Sequence, residues 1–280
     1  MGTSGSYRGS GGKDASDLRD NIVAWLDAVG EPGGTDGIDA ENADGTDKLA
    51  DQARTEASGE NQRVDLGPAL RVLLNSRGRG GKSDGPGGGS GGARGGGIGR
   101  SSGGATRSVG RVSRAAGRAG HLALAYSSGN REVLREAGLN YDELRVLRDP
   151  VAIGLKIIET AFESQADSTI ADAEERDIVA SVVEWILEQP PGQPPMPEDV
   201  VRKSIETMIA ETVLTEVAST VYAKNASVEN RRKLERQIRD VAAEYAAQAT
   251  LNPRGATEQQ MAKAIENGVR EIGQIFGVMS

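Results

Sequence analysis

The residue types best suited to chemistry in this chain stand at its start, Met1-Gly2-Thr3-Ser4, followed by Gly5-Ser6-Tyr7-Arg8-Gly9-Ser10-Gly11-Gly12. A small second residue permits removal of the initiator methionine, which leaves the α-amine of Gly2 as the terminus. Such an amine titrates near about pH 7.7–8.0, so roughly a tenth or more is an uncharged nucleophile at neutral pH. Gly2 has no Cβ, and small hydroxylated residues follow it. The tip can therefore thread a narrow channel with its backbone extended. A frayed terminus with no task is the alternative reading. Met1-Gly2-x-x-x-Ser6 also satisfies the myristoylation pattern. One acyl chain binds membranes only marginally, however, and the chain that follows is acidic rather than polybasic.

Elsewhere the usual chemical constellations are missing. Cysteine is absent and His121 is the single histidine, so thiolate, Ser–His and His-based metal arrangements are impossible or rest on one residue. His121, beside Leu122 and Leu124, reads as a partly buried structural residue. Gly80-Gly81-Lys82-Ser83 has the tail of a phosphate-binding loop, but Arg77 stands where its first glycine belongs. Glu174, Glu175, Glu206, Glu211 and Glu216 read as solvated helix faces paired with Lys and Arg. The expectation is a chain without catalytic residues, metal or cofactor.

The elements that would carry the tip come next. Apolar residues are 37% of 280, aromatics 3%, and there are 38 glycines, too lean a composition for one core over the whole length. Residues 1–105 read as a long, mostly disordered Gly-rich arm with two amphipathic islands. The first, at about 16–29, carries Leu18, Ile22, Trp25, Leu26 and Val29 at helical spacing, with Asp14 or Ser16 as cap. The second, at about 64–75, has Pro68 in a first turn and Leu70, Leu73 and Leu74 on one face. Helices this short are marginal alone, so each stripe needs a surface, either the chain's own body or a partner.

Thr35 to Gln62 reads as an acidic solvated linker, and Asn75 to Gly104 as a Gly/Ser/Arg tether. If everything before residue 105 is coil, its rms span is about 50–60 Å.

From 106 to 280 the pattern is helical throughout, and an all-α bundle is expected there. The helices should run from Arg107 to Tyr126, Arg131 to Ala137, Tyr141 to Leu147, from Pro150 through Phe162, from Asp167 or Ser168 through Leu187, Pro197 to Ala223, Ser227 to Thr250 and Met261 to Phe276. Asn130, Asn140, Asp149, Ser227 and a Thr257/Gln260 capping box mark starts. Arg63, Arg71, Arg77, Arg79, Lys82, Arg94, Arg100, Arg107, Arg111, Arg114 and Arg118 face only Asp65 and Asp84 across their span. That tract is a candidate for phosphate neutralisation, although it lacks aromatics for base stacking. No apolar run approaches membrane-spanning length, and a cytoplasmic setting without membrane is expected.

Several of these segments together resemble a known family. Met1-Gly2-Thr3-Ser4 with its Gly/Ser continuation, Val23-Ala24-Trp25-Leu26, Leu66-Gly67-Pro68-Ala69, Gly91-Gly92-Ala93-Arg94 and the helical C-terminal body look like the QatB family, the B component of the bacterial Qat anti-phage defence system. The resemblance implies a non-enzymatic protein working with an ATPase, a nuclease-like component and a QueC-like enzyme. It further implies that Gly2 accepts a 7-deazaguanine-type group as an amide, with Thr3 and Ser4 contacting the partner's active site. Ile22, Trp25, Leu26, Leu70, Leu73 and Leu74 would then dock the partner. The alternative is a nucleic-acid-binding or scaffold module acting through the Arg/Gly tract.

Overall fold

The computed structural model describes residues 12–29, 63–74, 109–163, 171–190, 192–250 and 257–276. Among them are ten helices and no strand: α1 (Lys13–Val29), α2 (Gly67–Leu74), α3 (Val109–Ser128), α4 (Arg131–Glu136), α5 (Tyr141–Leu147), α6 (Pro150–Glu163), α7 (Ala171–Leu187), α8 (Pro197–Ala223), α9 (Val228–Ala247) and α10 (Glu258–Ile275). The result is an all-α bundle. No described helix is long and apolar enough to cross a membrane.

Helix α8 is the axis, because its buried apolar residues wind round it rather than keeping to one stripe. Val200, Val201, Ile205, Met208, Ile209, Val213, Val217 and Val221 are all buried, and they leave no single polar face. Accordingly α1, α2, α3, α7, α9 and α10 all pack on it. Two of its buried hydroxyls are satisfied within the helix: Ser204 Oγ donates to the Val200 carbonyl and Thr212 Oγ1 to that of Met208, each at 2.7 Å.

Helix α3 is the second organiser and works by thinness. Ala115, Ala116, Gly117, Ala119, Gly120 and Ala123 are buried, so neighbouring backbones approach closely. A Cβ on Gly117 would lie 2.6–2.9 Å from the N, Cα and Cβ of Ala262 in α10. Helix α10 packs chiefly on α3 and α9 on α8, while α6 and α7 pack on each other and on α3.

The local start signals operate as the sequence predicts. Asn130 accepts from the Val133 amide, Asn140 from Asp142, Asp149 from Val151, Ser227 from Asn230, and Thr257 and Gln260 form a reciprocal box. Helix α1 differs. It opens on Gly12, whose carbonyl accepts from the Ser16 amide at 3.1 Å, one turn before the expected caps could act. The start expected at Asp167 or Ser168 lies outside the described residues.

The two islands are not appendages in this structure. Leu18, Ile22, Leu66 and Leu70 are fully buried in the same core as α8, with Trp25, Leu26 and Leu73 nearly so and Leu74 packed at its edge. A division of the chain at residue 105 therefore does not describe the core, which recruits both islands to cover α8.

The Gly117 contact gives a sharp expectation. Gly117→Ala must displace the α10 backbone and should cost about 2–3 kcal/mol, whereas Gly268→Ala meets the terminal carbon of Ile205 and, at 3.4 Å, the Ala249 side chain rather than backbone, and should cost less. Urea unfolding of the two variants measures the difference; equal costs would contradict the close α3–α10 approach.

Candidate functional site: the anchor of the N-terminal segment

Gly2, Thr3 and Ser4 lie outside the described residues, so the site is approached from its anchor. Gly12 and Lys13 are exposed, placing the first turn of α1 at the surface. Asp14 in that turn lies 3.9 Å from Arg71 of α2. Further along, Asn21 Nδ2 donates to the Asp65 carbonyl, and Asp27 takes Lys224 Nζ at 2.8 Å. Asp65 accepts the Gly67 amide at 2.8 Å and so caps α2, a role that sequence spacing missed. Beneath these polar ties lies the apolar stripe, Ile22, Trp25 and Leu26, packed with Leu70, Leu73 and Leu74 of α2.

Those six side chains were the expected partner-docking surface. The structure gives them to the chain's own core, because α8 is apolar on the sides they cover. The apolar side chains it leaves uncovered are others, chiefly Val146 (77% exposed), Val151 (67%) and Leu155 (56%) around the α5–α6 turn. Periodicity counted Leu155 among the residues of an apolar helix, but the buried side of α6 consists of Ile153, Ile157, Ala161 and Phe162. Only the asymmetry of the packed neighbours decides which side that is.

Anchoring also sets the reach. Eleven residues precede Gly12, and a fully extended chain covers about 3.3–3.6 Å per residue, so Gly2 lies within roughly 40 Å of the α1 start whatever its conformation. That is shorter than the rms span of a coil reaching back from residue 105.

The basic tract is rearranged as well. Arg63 pairs with Glu244 at 3.0 Å, Arg71 faces Asp14, and Arg111 Nε sits 2.8 Å from both carboxylate oxygens of Glu175. Arg118 Nε is buried with no hydrogen-bond partner among the described residues. Three members of the expected phosphate-binding tract, Arg63, Arg71 and Arg111, thus face carboxylates far away in sequence. Glu175 is 2% exposed and Glu216 is also buried, which corrects their reading as solvated. Glu206 and Glu211 do pair as read, with Lys203 and Arg239. His121 is half-buried on α3. No group of three or more His, Cys, Asp or Glu that could hold a metal occurs among the described residues.

Tyr245 closes the anchor from the α9 side, stacked on Phe276 with ring centroids 4.1 Å apart. Burial, and then the Asp65 carboxylate, raise its pKa above 10.0, against a smaller opposing effect from the Leu66 backbone. The neutral phenol is favoured in the folded state, so this stabilisation holds below pH 10 and is lost as pH rises through the folded pKa. Tyr245→Phe should flatten the fall in Tm above pH 10, and an unchanged slope would contradict it.

The buried ion pair gives a second expectation. Arg111→Met strands the Glu175 carboxylate and should cost about 3–5 kcal/mol, while the double change Arg111→Met/Glu175→Leu should recover most of that. A double-mutant cycle in urea checks this; additive losses would contradict a paired, desolvated Glu175.

No family model, curated protein or solved structure gives a significant match to this chain.

Proposed function

We propose that the chain is a non-enzymatic, cytoplasmic component of a Qat-type anti-phage system, and that its N-terminal glycine is an acceptor presented to a QueC-like partner. In this reading the α-amine of Gly2 attacks an adenylated 7-carboxy-7-deazaguanine. The new bond is an amide N–C bond. The bond broken joins the acyl carbon to the phosphate oxygen, AMP leaves, and the amine gives up one proton to solvent. Thr3 and Ser4 hydrogen-bond inside the partner's channel, and the system's ATPase acts elsewhere.

One observation supports this most. Helix α1 is fixed by Leu18, Ile22 and Trp25 while Gly12 and Lys13 at its start are exposed, which suits presentation of the residues before them from the surface. Tethering at that point holds the amine at a high effective concentration for any partner bound within about 40 Å. The Gly/Ser composition of residues 2–12 suits entry into a narrow channel. In the nucleic-acid reading Arg63, Arg71 and Arg111 already have carboxylates close by, while Arg77, Arg79, Lys82, Arg94, Arg100 and Arg107 lie outside the described residues.

Intact-mass measurement after co-expression with the QueC-like partner tests the proposal. One purine-sized adduct on the N-terminal peptide is expected, lost in Gly2→Pro. Deleting Tyr7–Ser10 shortens the reach by about 14 Å and should cut modification several-fold, whereas deleting Pro86–Gly97 should not. An unmodified terminus, with salt-sensitive retention on DNA or RNA, overturns the proposal in favour of a nucleic-acid module.

A further inference from the structure

The docking role that α1 and α2 cannot perform has a candidate surface elsewhere. Val146, Leu147, Val151 and Leu155 are all exposed, on either side of the turn from α5 to α6. Every residue from Arg145 to Val151 is in solvent. On α6, Val151, Leu155 and the half-buried Ile158 stand at i, i+4 and i+7, a stripe pointing away from the side that Ile153, Ile157 and Ala161 bury. A stripe of that spacing is what an amphipathic partner helix lies along.

The charges around the stripe are uneven. Its carboxylates are engaged: Asp142 pairs with Arg131, Glu143 accepts from Asn140, Asp149 accepts the Val151 amide and Glu159 faces Lys156. Two guanidinium groups at its edge are not. Arg145 stands 6.0 Å from the Tyr141 ring centroid, and neither it nor Arg148 has a carboxylate partner among the described residues. Arg148 closes α5 in the left-handed conformation, with φ 51°. Glycine adopts that conformation without strain, so the backbone does not account for an arginine there.

We infer that the α5–α6 turn docks an acidic amphipathic helix of a partner protein, whose apolar side chains cover Val151 and Leu155 and whose carboxylates meet Arg145 and Arg148. The apolar stripe and the two uncommitted cations at its edge select this occupant together. An anionic membrane is disfavoured, because two cations fall short of a polybasic cluster and none of the four exposed apolar residues is aromatic. A second copy is disfavoured too, since a two-fold contact brings the same two cations to the same patch from both sides. Nothing in this surface depends on the role of Gly2.

The probes are two synthetic peptides of about fifteen residues, long enough to become helical on binding. Both carry leucine at i, i+3, i+4 and i+7; one has glutamate at its charged positions and the other lysine. Fluorescence anisotropy against the full chain reads their binding. At low salt the glutamate peptide should bind about tenfold more tightly. Hydrogen exchange should slow between Arg145 and Ile158 when it binds. Arg145→Glu/Arg148→Glu should reverse the preference, and Val151→Ser/Leu155→Ser should lose both peptides, with circular dichroism showing an unchanged fold. Equal affinity for the two peptides, protection elsewhere on the chain, or no binding overturns the inference. Binding to phosphatidylserine vesicles in place of the peptide assigns the patch to a membrane. A dimer in sedimentation that Val151→Ser/Leu155→Ser dissociates assigns it to a second copy, and either result overturns the acidic helix as occupant.

Discussion

The constraint behind this structure is that the apolar residues of α8 are not confined to one face. A 27-residue helix whose buried apolar side chains shift round it along its length must be covered by several neighbours. A chain with 3% aromatic residues cannot do that with a few large side chains. It does so with many small and branched ones, and with close helix approaches such as α3 against α10 at Gly117 and Ala262. The bundle of α3, α7, α9 and α10 still leaves part of α8 to cover, and α1 and α2 supply the cover. Two short stripes, each marginal alone, become stable because the longest helix needs them.

That coupling joins fold to function. If α1 is part of the core, the segment carrying Gly2 starts at Gly12 on the surface, and its working radius is set by about a dozen residues. Described charges pair across the fold: Arg63 with Glu244, Asp27 with Lys224, and Arg111 with Glu175 of α7.

What could be read from the sequence was what is local. Asn130, Asn140, Asp149 with Pro150, Ser227 and Thr257 with Gln260 are caps whose partners lie within three residues, and they fall where expected. The apolar faces of α1 and α2 were also legible, because the 3.6-residue period names the buried side. It does not name what buries it, so Trp25 and Leu70 could be assigned to a partner when they belong to the core. Glu175 could not be recognised as buried, since its guanidinium partner stands 64 residues away. Leu155 and Val151 are exposed because no described helix covers that side of α6, a fact about neighbours rather than spacing.

Hydrogen exchange on the full chain tests the central claim most directly, namely that α1 is built into the core and presents the N-terminal segment from the surface. Amides from Leu18 to Val29 should be protected to nearly the same degree as those in the middle of α8, and should lose protection together with them in denaturant. Exchange of α1 at unstructured-peptide rates while α8 stays protected would contradict the account.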